Sequence, residues 1–407
     1  MNDTESDQVK SLLLDLLSPS QHVSAQMLTC LEPEAQAAFL QSVQDHRLGP
    51  LLRYMLSQYH QDVIVPDHIK LAIDTSFKTA AFRSLNAQQS LINIHRLLSQ
   101  HQTPYIALKG AYLAFHAYPQ SALRPMRDLD ILVPEDRALE VYELLKNEGY
   151  QRLLEYQDNP KIPSKNKHHL PALIDPTSRI LIEIHTSLSG SDDAAFGLAA
   201  DEAFWSRAIE RPIASVAIRF ESSTDLLLHL ICHAVYHHRF DNGPLLITDI
   251  AFLLDGQDID WPLFWEIAQR ENITAGCVLV LKIVERYWSQ TLIIWPSTPV
   301  KFPSDAMLKD AVILLLRDYK LRGVVGFKGG LVNADGILQQ ISLLFNKVFP
   351  TRAYIFAFYG LPTGSLKVYG YYLIYLFRNR LPKMLKSITT RHTSELARLQ
   401  RLDDWLT

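Results

Sequence analysis

The sequence is poor in cysteine, and it lacks long apolar runs and a strong excess of charge. Its 407 residues include three cysteines, Cys30, Cys232 and Cys277, without a CxxC pair, so neither a disulfide framework nor a cysteine zinc site is expected. No run approaches the roughly 20 apolar residues that span a bilayer, and the first residues lack a signal-peptide pattern. These absences predict a soluble, cytoplasmic protein without integral membrane association.

The charge balance does not favour nucleic acid as a partner of the whole chain. A formal net charge of -3 provides no overall attraction to a polyanion. The local exception is the stretch from Arg378 to Arg401, which is basic and follows several aromatic residues. This stretch is typical either of a surface for RNA, membrane or a partner protein, or of an ordinary helical subdomain with a solvated basic face.

The spacing of apolar residues divides the chain into three parts. Helical spacing dominates residues 6–59 and 69–101, whereas strands and helices alternate between residues 104 and 188. Helical patterns return after residue 224. We therefore predict an α+β fold, in which a small mixed β-sheet is flanked by N-terminal and C-terminal helical regions.

Two carboxylates lie on one face of the predicted strand 128–133. Successive strand side chains point to opposite faces, so Asp128 and Asp130 face one way while Leu129 and Ile131 enter the core. Like charges this close repel each other unless a cation neutralises them. Upstream, Gly110 follows an apolar run and opens a helix, where backbone amides can meet phosphate. The order of these elements predicts phosphoryl chemistry.

A third acid strengthens this interpretation. Glu183 lies within the apolar strand 180–185, where an unpaired charge is costly unless it binds a metal. Three carboxylates on adjacent strands suit two magnesium ions, or manganese. The alternative is that Asp128 and Asp130 cap a strand and pair with Arg124 and Arg127.

Several histidines are candidates for contacts within the same site. His185 shares a strand face with Glu183, which suits contact with metal, phosphate or acceptor, or a half-buried structural role. Together with His168 and His169 it also raises a zinc alternative. His229 and His233 are four residues apart on an apolar helix, which favours packing or contact with a nucleotide base or the acceptor.

With these motifs, the chain resembles the polymerase-beta-like nucleotidyltransferase superfamily and, within it, the bacterial uncharacterised nucleotidyltransferases. The resemblance spans roughly residues 85 to 290. It is carried by Leu108-Lys109-Gly110, Arg124 and Arg127, Asp128 to Val133, Glu183-Ile184-His185, and the helix with His229 and His233. It implies that Asp128 and Asp130 bind both metals, that Glu183 completes the catalytic metal site, and that Gly110 lies under the nucleotide phosphates.

One departure from the superfamily concerns the residue that binds the nucleotide phosphates beside the glycine. The superfamily usually has a serine after the glycine, where this chain has Ala111. Lys109, Arg124 and Arg127 are candidates to replace that hydroxyl, because ammonium and guanidinium groups match phosphate.

The resemblance implies a magnesium-dependent enzyme that transfers a nucleoside monophosphate from a nucleoside triphosphate to a hydroxyl and releases pyrophosphate. The acceptor is a small molecule, peptide, protein or RNA, and the alternative is an inactive nucleotide-binding or scaffold protein with the same fold. The predicted regions are an N-terminal helical region (1–84), the nucleotidyltransferase core (85–212), a helical nucleotide- or acceptor-binding domain (213–295) and a C-terminal helical region (296–407).

Overall fold

A computed structural model of the chain describes residues 3–152, 169–188, 198, 200–289, 293–317, 365–380 and 393–406. Helices form both ends of the described chain, and strands and short helices alternate between them. In chain order the α-helices are α1 (Asp3–Leu16), α2 (Pro33–Asp45), α3 (Gly49–Gln58), α4 (Asp67–Gln100), α5 (Gly110–Tyr112), α6 (Ala138–Asn147), α7 (Glu202–Arg207), α8 (Ser223–Cys232), α9 (Leu245–Gly256), α10 (Trp261–Arg270), α11 (Thr274–Tyr287), α12 (Asp305–Leu315), α13 (Val368–Tyr375) and α14 (Thr393–Leu406). π-Helical turns at Leu113–Ala117, His233–His237 and Leu376–Arg380 continue α5, α8 and α13.

Seven strands of the described chain form one mixed sheet. They are β1 (Ile106–Ala107), β2 (Asp128–Leu132), β3 (Gln151–Arg152), β4 (Leu173–Ile174), β5 (Leu181–His185), β6 (Ile209–Ile213) and β7 (Val216–Phe220). Their order across the sheet is β3-β4-β5-β2-β1-β7-β6. β2 is parallel to β5 and β1 to β7, whereas β1 and β2 are antiparallel. The mixed sheet and the helices before and after it confirm the predicted α+β class.

β2 and β5 are neighbours within the sheet, and their sequences fix which side chains face the core. Ile131 of β2 and Ile182 and Ile184 of β5 are almost completely buried. Since side chains alternate along a strand, the acids between them point to the opposite face. The parallel register then places Asp130 directly opposite Glu183.

β6 and β7 extend the sheet past residue 212, where the sequence predicted the core to end. Ala107 of β1 is paired with Phe220 of the parallel strand β7. The residues that follow these two strands, Lys109 and Glu221, therefore meet at the same end of the sheet. The predicted regional boundaries themselves stay a prediction.

The C-terminal basic stretch falls partly outside the described residues, as do Tyr354, Phe356, Phe358 and Tyr359 upstream of it. Two of its charges are engaged within the chain, because Arg398 and Arg401 of α14 contact Asp310 of α12 at 3.3 and 2.7 Å. Across the described ranges, no helix is long and apolar enough to cross a membrane.

Candidate active site

Asp130 and Glu183 form the centre of the candidate site, and His185 joins them from the end of β5. The Nε2 atom of His185 lies 2.9 Å from Oδ1 of Asp130 and 3.7 Å from Oε2 of Glu183. His185 is buried, whereas the two carboxylates keep partial access to solvent. The parallel register of β2 and β5 thus brings two acids and an imidazole together.

Asp128 lies on the same face of β2, two residues before Asp130. Burial, together with the negative charges of Asp130 and Glu183, raises the pKa of Asp128 to about 6. Arg127 and Lys109 oppose this rise without offsetting it. The three acids therefore repel one another, and a bound cation would relieve that repulsion.

Asp130 and His185 stabilise each other in their charged forms. Burial favours neutral Asp130, but the Lys109 ammonium and the hydrogen bond with His185 hold its pKa below the usual range. Burial likewise opposes a charged His185, but the hydrogen bonds to Asp130 and Glu183 raise its pKa. Without a metal, His185 therefore supplies part of the positive charge that the acids require, and it would give up this proton on becoming a metal ligand.

The donor atoms of this group fit a divalent metal. One ligand atom each from Asp130, Glu183 and His185 lies within 4.8 Å of the others. Carboxylate oxygens suit Mg²⁺ and Mn²⁺, while an imidazole nitrogen suits transition metals. Within the described residues, Asp128 lies on the same strand face as Asp130 but outside this close group of ligand atoms. The predicted metal ligands thus lie together in space, with His185 nearer the centre than Asp128.

Lys109 lies close to these acids from the end of β1, and its backbone is held in an unusual conformation. Its φ of 42° is one that residues other than glycine rarely adopt. Its N–H group donates a hydrogen bond of 2.8 Å to Oε2 of Glu221. The Lys109 charge lowers the pKa of both Asp128 and Asp130. Glu221 therefore fixes the residue whose ammonium offsets the acids.

The second oxygen of Glu221 binds a buried histidine. Nδ1 of His229 lies 2.5 Å from Oε1 of Glu221, and both residues are 1% exposed. An ionised carboxylate only accepts hydrogen bonds, so His229 donates from Nδ1 and keeps a lone pair at Nε2. That Nε2 atom is buried without a hydrogen-bond partner among the described residues. Burial lowers the pKa of His229, which keeps the ring neutral.

Arg124 precedes β2 in the chain and is held by an acid from helix α9. Its Nε and Nη2 atoms donate to the two oxygens of Asp249 at 2.9 and 3.1 Å. Arg127, by contrast, is exposed. Of the two arginines predicted to bind the nucleotide, the structure gives Arg124 the more fixed position.

A cleft of about 590 Å³ joins these groups. Its lining includes the predicted site residues Lys109, Gly110, Arg124, Arg127, Asp128, Asp130, Glu183, His185 and His233. Further lining residues, among them Asp45, Arg47 and Asn242, come from segments outside the predicted core. Residues from the helical parts before and after the sheet thus contribute to the lining of the cleft.

The remaining histidines take different positions. His233 lines the cleft, and its Nε2 atom lies 3.1 Å from Nε2 of His238. Burial lowers the pKa of His233 well below its usual value, so this ring is neutral. The ring of His169 lies 5.5 Å from that of His185, whereas His168 lies outside the described residues.

The sequence interpretation missed Glu221 and Asp249. Asp249 offered the same signal that identified Glu183, because it is a single acid within an apolar stretch, Leu245 to Leu254. Glu221 offered a weaker one, since an acid beside Ser222 at the start of a helix is common at helix N-termini. Ser222 does cap α8, by accepting a hydrogen bond from the N–H group of Asp225.

Comparison with known proteins gives one family and one structural similarity to report. The model of a family described as uncharacterised nucleotidyltransferase matches residues 32–289, which is more than half of the chain. The solution structure of an antibiotic-resistance factor, ANT(2'')-Ia, is similar at a TM-score of 0.32 and 14% identity, over 45% of this chain and 90% of that chain. Curated proteins give no match.

Proposed function

The chain belongs to the family of uncharacterised nucleotidyltransferases, which makes it a transferase enzyme, and we propose that it moves a nucleoside monophosphate from a nucleoside triphosphate to a hydroxyl group. Pyrophosphate is the second product. The observation that supports this proposal most strongly is the register of β2 and β5, which sets Asp130 opposite Glu183 with His185 beside them.

In this proposal Asp130 and Glu183 hold a divalent metal together with Asp128, and His185 contributes a nitrogen ligand. Burial and then repulsion from Asp130 and Glu183 raise the pKa of Asp128, and a cation at this position would relieve that repulsion. A bound Mg²⁺ or Mn²⁺ would neutralise phosphate charge and activate the attacking hydroxyl, and two such ions are the arrangement that the resemblance implies.

The cationic residues of the cleft are proposed to bind the triphosphate. Lys109 and Arg124 line the cleft together with the acids, and Gly110 lies against the Arg124 guanidinium. Guanidinium and ammonium groups match phosphate oxygens in charge and geometry. Arg127 is exposed and also lines the cleft, so it is proposed as a further contact to the nucleotide.

Two histidines are proposed to contact the base or the acceptor. His233 lines the cleft directly, and His185 faces it from β5. His229, which the sequence suggested for the same role, is 1% exposed behind the wall. Its proposed influence on the reaction therefore passes through Glu221 and Lys109.

The acceptor is proposed to be a small molecule, peptide, protein or RNA that carries a free hydroxyl. The test is incubation of the protein with Mg²⁺, fractions of a cell extract and each of four nucleoside triphosphates labelled at the α-phosphate. Label on an acceptor, absent with the Asp128→Asn, Asp130→Asn double variant, is the expected result. Equal transfer by that folded variant would contradict the proposal, and Mg²⁺-dependent binding without transfer to any acceptor would indicate the scaffold alternative.

A further inference from the structure

Arg124 uses two of its three guanidinium nitrogens to contact a single buried acid. Nε and Nη2 bind the two oxygens of Asp249 at 2.9 and 3.1 Å, which is a bidentate pair. Asp249 belongs to α9, whose neighbouring residues are apolar, and it is 4% exposed. A buried carboxylate in an apolar helix is costly without such a partner, so the pair is held firmly.

A tyrosine fixes Asp249 from the other side. The hydroxyl of Tyr118 donates a hydrogen bond of 2.7 Å to Oδ1 of Asp249 and lies 3.0 Å from the hydroxyl of Thr248. Tyr118 is buried, and burial with the charge of Asp249 raises its pKa well above the usual value, so it remains a donor. The hydrogen bond from Tyr118 therefore fixes the orientation of the Asp249 carboxylate, and the carboxylate in turn fixes the orientation of the Arg124 guanidinium.

The third nitrogen of Arg124, Nη1, lies over Gly110. A Cβ atom added to Gly110 would lie 2.6 Å from Nη1, which is closer than any real contact allows. A flexible arginine end would move aside, but this one is held by Asp249. None of the described residues accepts a hydrogen bond from Nη1, and both Arg124 and Gly110 line the cleft. Gly110 thus provides the room in which a fixed, charged donor faces the cleft.

We propose that Asp249, supported by Tyr118, is a positioning residue that holds the Arg124 guanidinium against Gly110, so that Nη1 binds the triphosphate. Gly110 then lacks a side chain because the Arg124 guanidinium occupies that space, and not because the phosphates approach its backbone directly. This inference rests on the proposed function, since it assumes that the cleft binds a nucleoside triphosphate with metal.

The test uses inorganic triphosphate with Mg²⁺ as the probe, because this ligand does not depend on which base the enzyme accepts. Calorimetric titration of the full chain would give its affinity for the parent and for variants. Loss of one charge-assisted contact predicts about tenfold weaker binding for Asp249→Asn and for Arg124→Ala. The combined variant should bind no more weakly than Arg124→Ala alone, because both changes remove the same contact.

A second cycle examines Gly110 without disturbing the buried acid. Gly110→Ala should weaken binding in the parent and have no effect in the Arg124→Ala background, where nothing meets the new methyl group. Tyr118→Phe should weaken binding by a smaller factor than Asp249→Asn. These two arms keep the test decisive even if Asp249→Asn fails to fold.

The outcomes separate the inference from the proposed function. A parent protein that does not bind Mg²⁺-triphosphate contradicts the proposed function. If the parent binds Mg²⁺-triphosphate and Asp249→Asn binds it equally well, the positioning role is wrong. It is also wrong if the combined variant loses the full sum of the binding free energies that Asp249→Asn and Arg124→Ala lose singly. Equal losses from Gly110→Ala in both backgrounds would mean that Gly110 meets the phosphates itself.

Discussion

Two carboxylate–histidine pairs interact with Lys109 and behave differently. Asp130 and His185 lie 2.9 Å apart and line the cleft, with Glu183 and Asp128 close by. Glu221 and His229 are buried behind the wall, and the second oxygen of Glu221 accepts the N–H group of Lys109. The residue types are nearly the same, but the neighbours are not.

The neighbours decide what each pair can do. Around Asp130 the negative charges outnumber the positive ones on the strands that carry it, which favours a cation. Around Glu221, each carboxylate oxygen meets a neutral donor, so nothing further is required. The first pair is therefore suited to binding and the second to holding Lys109 in place.

The largest effect is expected from Glu183→Gln. This change keeps the shape of the side chain but removes a charge from the proposed metal site, so nucleotidyl transfer should fall by about 10³-fold. Initial rates of label transfer would measure this. The exposed Glu135→Gln is a matched control that should retain the parent rate. A rate within a few-fold of the parent for Glu183→Gln would remove this acid from the site.

The sequence identified both residues of the first pair as candidates but only His229 of the second, for a physical reason. Alternation along a strand reveals the faces of Asp128, Asp130 and Glu183 without any knowledge of the fold. The contact of Glu221 with Lys109 depends on the parallel pairing of β7 with β1, which joins segments far apart in the chain.

The same limit applies to other features of the fold. Pairing of β7 with β1 is long-range, and β6, with Arg211 and Pro212 in its centre, does not read as a strand. The bidentate contact of Arg124 with Asp249 likewise joins the core to α9. Residue spacing thus predicted the strand face on which the acids lie, whereas the supporting contacts required the tertiary structure.

Glu221→Ala should destabilise the protein although the residue does not line the cleft. It leaves the Lys109 N–H group and His229 Nδ1 buried without an acceptor, at a cost of about 2–4 kcal/mol in the free energy of unfolding. Urea unfolding followed by circular dichroism would measure it. Glu148→Ala, at an exposed position, is the control that should change little. A loss no larger than that of the control would mean that Glu221 supports nothing.

His185→Ala should weaken metal binding, whereas His229→Ala should not. Removal of a nitrogen ligand is expected to reduce Mn²⁺ affinity by about 10–100-fold. Electron paramagnetic resonance would measure the Mn²⁺ affinity and the coupling between Mn²⁺ and a ligand nitrogen, which should disappear in His185→Ala. If the coupling persists in His185→Ala and vanishes in His229→Ala, the roles of the two pairs are reversed.

The smallest effect concerns pH. The pKa of Asp128 is raised from 3.8 to about 6, so its contribution to stability is present below 3.8 and is lost as pH rises through about 6. Asp128→Asn removes this loss. The free energy of unfolding of the metal-free variant should therefore exceed that of the parent by about 1–2 kcal/mol at pH 8, and by less at pH 4. Thermal unfolding at the two pH values, with EDTA present, would measure the difference. A larger advantage at pH 4 would contradict the proposed repulsion.

The most direct test of the proposed metal–nucleotide site is equilibrium dialysis of the protein against each of the four labelled nucleoside triphosphates, with and without Mg²⁺. The parent should bind at least one of them only when Mg²⁺ is present, and the Asp130→Asn, Glu183→Gln variant, although folded, should bind none. Binding that is equally tight without Mg²⁺, or unchanged in that variant, would contradict the claim that these acids form the metal–nucleotide site.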